Sequence, residues 1–254
     1  MVARIYRNDK PVDNVAGPCP DKPAEIRCAS CIMDTSLYFS GLSLEAKRDL
    51  QPYLQLKRFR KREVLYQAGD ECRYVYILLS GEIKIYKSLS NGKQQIHKLA
   101  QIPGDLIPCE ELFIEKHGSS AIALEEVSVC YLKRQDLLDS TDRHGEIATC
   151  LMRSMSRNLH AYIRHITNLG QKSALERVAS YLVYLNDTHH ERNLNQSALH
   201  AALSRTELAE MLGITQRTLI RSLRKLETDQ LVKMQRDTFV ILDIEALRLI
   251  SHGT

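Results

Sequence analysis

Four glycine-bearing breaks punctuate residues 56–132: Gly69-Asp70, Ser80-Gly81, Asn91-Gly92 and Gly104-Asp105. Each follows the last after about a dozen residues. The stretches beside them, Glu63–Tyr66, Tyr74–Leu79, Glu82–Lys87, Gln95–Leu99 and Val127–Leu132, are rich in Val, Ile and Tyr. Short strands closed by glycine turns pair as antiparallel neighbours, whereas parallel strands need long helical crossovers that this region lacks. The region therefore implies a small antiparallel roll or barrel. Spacing alone also admits an unrelated β-sandwich.

A different pattern begins near Gly145 and continues, without proline, to Leu169. Met152, Met155, Leu159, Tyr162, Ile166 and Leu169 alternate steps of three and four, the seam of a coiled coil. The seam suits a dimerisation helix, or packing of one apolar stripe on the chain's own β-domain. After Gly170, Leu175, Val178, Ala179 and Leu182 mark a further helix over Ser173–Leu185, and residues 186–197 read as a polar loop in which His189 and His190 are solvated.

The stretch Ser204–Leu226 reads as two short helices around a tight turn. Ser204 caps the first helix, and Glu207 completes a capping box. Gly213 supplies the left-handed backbone that ends it, Thr215 caps the second, and Leu219, Leu223 and Leu226 form a buried stripe. Gln216, Arg217, Ile220, Arg221 and Arg224 then face outward, with Thr218 in the first turn and Arg205 opening the first helix. Arg217, Arg221, Arg224 and Lys225 fall between 216 and 225 with no acid among them. This is the layout of a helix-turn-helix whose second helix enters the DNA major groove; the plainer alternative is a helical hairpin with a solvated basic face. Leu231–Met234 and Thr238–Leu242 flank Gln235-Arg236-Asp237 as a wing whose tip, Arg236, can reach a phosphate.

The net charge of +4 is modest, so it is the clustering of cations that argues for nucleic acid. No run approaches the roughly 18 apolar residues of a membrane span, and the opening MVARIYRNDKPVDN lacks the apolar core of a signal peptide, so a cytoplasmic protein without membrane contact is expected. Residues 1–27 carry Pro11, Pro18, Pro20 and Pro23 and are expected to form a tail. The seven cysteines, from Cys19 to Cys150, make a poor disulfide framework and point to packed thiols, metal ligands or redox groups. No paired carboxylates, nucleophile–base pair or phosphate-cradling glycine loop appears, so no enzyme is expected.

A glycine-punctuated roll, a dimerising helix, the segment QKSALERVASYLVYL and a winged helix-turn-helix, in this order over about residues 40–250, resemble the cAMP-receptor/fumarate-nitrate-reductase-regulator (CRP/FNR) family of bacterial transcription factors. The resemblance implies an α+β architecture: a tail and cysteine segment over 1–42, a double-stranded β-helix (jelly-roll) sensor domain over 43–144 that opens with a short helix capped by Ser43, a dimerisation helix over 145–170, and a winged helix-turn-helix over 171–254. It also implies a homodimer on a palindromic double-stranded DNA site, with RNA polymerase as a further partner.

The family's cyclic-nucleotide binders carry a Gly-Glu-Leu-Gly-Leu-Phe segment followed by Arg-Ser-Ala. Here Pro108-Cys109-Glu110-Glu111-Leu112-Phe113 and Ser119-Ser120-Ala121 stand in those places, so the ribose glutamate falls at Cys109 and the phosphate arginine at Ser119. Burying a phosphate without its arginine is costly, and no cyclic nucleotide is expected. The oxygen-sensing branch holds a [4Fe–4S] cluster on an N-terminal cysteine group plus one cysteine of the roll. Cys28-x-x-Cys31 and Cys130 match that pattern. The further cysteine expected six residues after Cys31 is Leu37 here, leaving Cys19 as the spare thiol, or Asp34 as a non-cysteine ligand. A zinc site, a dithiol switch, a haem on His97, His117, His160 or His165, or no cofactor at all remain open on the residues alone. Cys72, Cys109 and Cys150 read as packed residues. The recognition helix departs from the family at Arg217, where an acid is common, and at Ile220, where the oxygen-sensing branch has Ser; Arg221 is retained. A changed half-site is expected.

Overall fold

The structure, a computed structural model, describes residues 41–253 apart from 91, 192–198, 201, 236 and 237. It divides into two compact units, one of residues up to 85 with 98–161, the other of 86–97 with 162–253.

The first unit opens with helix α1 (Leu44–Leu50), whose N-cap Ser43 accepts a hydrogen bond from the Ala46 amide. Eight strands follow: β1 (Gln55–Phe59), β2 (Val64–Tyr66), β3 (Tyr74–Ser80), β4 (Ile83–Ser88), β5 (Gln94–Ala100), β6 (Leu106–Ile107), β7 (Ser120–Ala123) and β8 (Val127–Lys133). They form two four-stranded sheets, in the orders β1-β8-β3-β6 and β2-β7-β4-β5. This is the expected jelly-roll. Strand β1 escapes the sequence pattern because it is an edge strand with Lys57 and Arg58 exposed, a composition that discourages further pairing. Gly81 shows why one turn demands glycine: its φ is +87°, and a Cβ there would lie 2.9 Å from Val127 Cα.

Strand alternation sorts the core into two clusters. Tyr76, Leu78, Val127 and Val129 point inward with Phe59, Ile83 and Ile85. Val75, Ile77, Cys130 and Leu132 point the other way, onto a cluster with Leu42, Ala46 and Leu50 of the α1 segment. Helix α2 (Arg134–Arg143) and the 27-residue α3 (Gly145–Gln171) continue the chain. Leu137, Ile147, Cys150 and Leu151 complete that outer cluster.

In the second unit, α4 (Ala174–Glu191) buries Val178, Ala179, Tyr181, Leu182 and Leu185. The polar loop expected from residue 186 is corrected at its start: the helix runs on through Glu191, and His189 is buried rather than solvated. The cause is tertiary. Asp187 pairs with Arg248 at 2.7 Å on the last helix, α7 (Ile244–His252), which packs along α4. Between them lie β9 (Leu199–His200), α5 (Arg205–Leu212), α6 (Gln216–Thr228), β10 (Val232–Gln235) and β11 (Thr238–Ile241), with β11 pairing to both others in a sheet of order β10-β11-β9. Among the described residues no helix is long and apolar enough to cross a membrane.

A candidate nucleic-acid interface and a buried carboxylate in the roll

Helices α5 and α6 are set by local chemistry. The Ser204 hydroxyl accepts from the Glu207 amide at 3.3 Å, and Glu207 Oε2 accepts from the Ser204 amide at 2.9 Å. Gly213 ends α5 at φ 61° and ψ 36°. Thr215 Oγ1 accepts from the Thr218 amide at 3.1 Å, fixing the first turn of α6. Leu219, Leu223 and Leu226 are buried, leaving Gln216, Arg217, Ile220, Arg221, Arg224 and Lys225 exposed and Thr218 half-buried. Arg205 stacks its guanidinium on the Phe239 ring at 5.0 Å, and the Met234 amide donates to Glu227 Oε1 at 3.0 Å, tying the wing to α6. Arg236 lies outside the described residues.

Arg177, which sequence reasoning missed, holds this reader in place. From α4 its guanidinium donates to Leu212 O at 3.1 Å, Gly213 O at 3.4 Å, Leu169 O at 2.6 Å and Lys172 O at 2.9 Å. It caps the carbonyl ends of α5 and of α3 together, where a cation also suits the helix dipoles. Backbone acceptors leave no mark in a sequence, which is why it could not be read there.

Along α3, Ile147, Cys150, Leu151, Ser154 and Asn158 are buried. Met152, Leu159, Ile163 and Ile166 are exposed at 51–67% of their surface. Of the expected seam, Met152, Leu159 and Ile166 lie in this exposed row. Met155 packs on the outer cluster of the roll, and Tyr162 and Leu169 are half-buried, Tyr162 beside His97 at 5.9 Å. Ile163 joins the row without having been singled out.

Inside the roll, the Glu111 carboxylate is enclosed by donors. His117 Nδ1 lies 2.7 Å from Oε2, while the Gly118 amide at 3.0 Å and the Ser119 hydroxyl at 3.1 Å donate to Oε1. The His117 ring stacks on Tyr66 at 3.8 Å. His117, Glu111 and Ser119 are all buried. Two residues before Glu111, Cys109 faces α3, with its Sγ near Leu151 O at 3.9 Å. Glu110 accepts from Asn158 Nδ2 at 3.1 Å and meets Lys98 Nζ at 3.6 Å.

Cys72, Cys109 and Cys150 are buried thiols; burial pushes all three up, Cys109 to about 11, so they stay protonated near neutral pH. Cys130 lies on β8 opposite Leu56 and Ile77, on the face that meets α1. Cys19, Cys28 and Cys31, with Asp34, lie outside the described residues. Leu42, eleven positions after Cys31, packs in the same cluster as Cys130. Of the haem candidates, His117 is committed to Glu111, His160 is exposed, and His165 is half-buried with its pKa lowered, first by burial and then by His97.

Residues 56–144 match the family model of the cyclic nucleotide-binding domain, and residues 176–250 match the Crp-like helix-turn-helix domain. The chain is 26% identical over 219 residues to the fumarate and nitrate reduction regulatory protein of Vibrio cholerae, covering 86% of this chain and 87% of that protein. It is 26% identical over 230 residues to the transcriptional activator protein Anr of Pseudomonas aeruginosa, covering 90% of this chain and 94% of that one. The solved structure of FixK2 from Bradyrhizobium japonicum superposes with a TM-score of 0.71 at 27% identity, over 79% of this chain and 98% of that one. A roll, a long helix and a winged helix-turn-helix thus occur together with both domain models, and the chain belongs to the CRP/FNR family of transcription regulators, DNA-binding proteins rather than enzymes.

Proposed function

We propose that this regulator answers oxygen, nitric oxide or redox state through a [4Fe–4S] cluster held by Cys28, Cys31 and Cys130, with Cys19 as fourth ligand. The observation that carries the reading is the shared apolar cluster of Cys130 and the α1 segment that follows the cysteine pair. It is supported by relatives named for anaerobic regulation in Pasteurella multocida and for fumarate and nitrate reduction in Vibrio cholerae. When bound, such a cluster supplies a redox-labile crosslink between the N-terminal segment and the roll.

The chain's own residues pass that constraint on. The Ser43 amide donates to Glu146 Oε1 at 3.0 Å, and Arg143 donates to Asp49 Oδ2 at 2.7 Å, so α1 is bonded both to the start of α3 and to the end of α2. A shift of α1 moves the root of α3, whose exposed row Met152, Leu159, Ile163 and Ile166 forms the homodimer seam in this reading. A difference of a few kcal/mol between tied and released states suffices to switch the dimer population. The dimer sets two α6 helices one DNA turn apart on a palindromic site, the DNA-bound form then engaging RNA polymerase in the cytoplasm. Ser204, Arg205, Thr215, Gln216 and Thr218 serve the backbone and groove wall, Arg221 donates to guanine, and Arg217 and Ile220 shift base preference away from that of an acid and a serine. With Glu111 enclosed in the roll, no cyclic nucleotide is required.

Anaerobic purification tests the cluster. The expected product is brown, with about four irons per chain and matching sulfide. A colourless, iron-free protein that binds DNA with full affinity overturns it.

A further inference from the structure

We infer that the roll carries its own anion: the Glu111 carboxylate is a built-in ligand seated in an oxyanion cradle made by His117, Gly118 and Ser119. This does not rest on the iron–sulfur reading. A buried carboxylate is costly unless its lone pairs are met, and here an imidazole N–H, a backbone amide and a hydroxyl converge on one group. That donor set is what proteins use to hold phosphates and carboxylates from solution. Glu111 lies against the turn: a Cβ built on Gly118 would stand 3.4 Å from its Oε1. The cradle is stiffened on both sides. His117 is stacked on Tyr66, and its amide and carbonyl pair with Asp70 O at 2.8 Å and the Gly69 amide at 2.8 Å. On the other side the Ala68 amide donates to Ser120 Oγ at 3.0 Å.

The plug is also wired to the long helix. The preceding residue, Glu110, turns outward to Asn158 of α3 and to Lys98 of β5. One peptide group therefore separates the filled cradle from the helix that this domain supports. A roll of the cyclic nucleotide-binding type is kept in its occupied arrangement by its own side chain, and small anionic effectors are excluded because their place is taken.

The test uses the full chain as wild type, Glu111→Ala and Glu111→Gln, with formate against chloride at matched ionic strength. Removing the carboxylate empties the cradle, so formate is expected to raise the Tm of Glu111→Ala by about 2–4 °C over chloride. Wild type and Glu111→Gln, whose amide still fills the space, are expected to show no such difference. A folded Glu111→Ala that responds no more than wild type overturns the inference, as does an equal response in all three proteins. If Glu111→Ala does not fold in chloride, the readout becomes folded yield after refolding in formate: recovery supports a vacated oxyanion site, and failure to recover overturns it.

Discussion

The recognition helix and the interior of the roll both concentrate charge, and they treat it in opposite ways. On α6, Arg217, Arg221 and Arg224 stand exposed, and of the cations there only Lys225 has an ion-pair partner among the described residues, Asp229 at 3.3 Å. In the roll, Glu111 is met by three groups of its own chain. Unmet charge on a rigid surface is a site waiting for a partner, because its complement arrives with the partner and brings counterion release with it. Charge met inside a domain is spent on the fold. The basic face of α6 is therefore open to an external ligand, while the Glu111 carboxylate in the roll is matched from within its own domain.

Charge removal gives the largest contrast. Glu111→Ala should cost about 3 kcal/mol of stability, because buried donors lose their acceptor and His117 its partner. Arg224→Ala should change stability by less than about 0.5 kcal/mol. Urea denaturation of both variants checks this, and equal costs would erase the distinction between the regions. Next in size, Arg221→Ala should leave the fold intact, cost about 1–3 kcal/mol of DNA binding and relax one base position. An equal loss on every sequence would make Arg221 a phosphate contact only, and the salt slope would then fall by about one unit.

Arg177→Ala is expected to cost about 1–2 kcal/mol of stability, since several carbonyls lose a charged donor. It should also lower DNA affinity although Arg177 lies outside the reading face; hydrogen exchange at Gly213 and Ile214 would report the loosened turn. The smallest effect concerns acid. Asp49 is held below its ordinary 3.8, first by the hydrogen bond from Arg143. A depressed carboxylate stabilises the fold above its unfolded pKa, and the contribution is lost as pH falls through the lowered folded value. Between about pH 5 and pH 2 the wild type should lose a Tm advantage over Asp49→Asn worth about half a kcal/mol, the scale of a partly exposed pair.

The two regions also differed in how far the sequence disclosed them. Ser204 and Glu207, Gly213, Thr215 and the Leu219–Leu223–Leu226 stripe act within one or two helical turns, so the reader could be drawn from its residues alone. The roll's glycine turns were equally local. Its buried carboxylate was not: Glu111 and His117 meet through a loop, and no local pattern in the sequence pairs them. His189 was misjudged because a polar helix end is retained by packing on α7, a partner some sixty residues away. On α3, steps of three and four fit two neighbouring faces; packing decides that Ile163 is exposed while Met155 turns to the core.

The carboxylate inside the roll has one further consequence, for dosage. A tethered group meets its site at an effective concentration fixed by chain geometry, about millimolar or above, and the cell can neither raise nor deplete it. A cradle filled in this way has no dose–response curve. Metabolite pools can rise and fall without registering there, and any graded input to this protein must enter by another door.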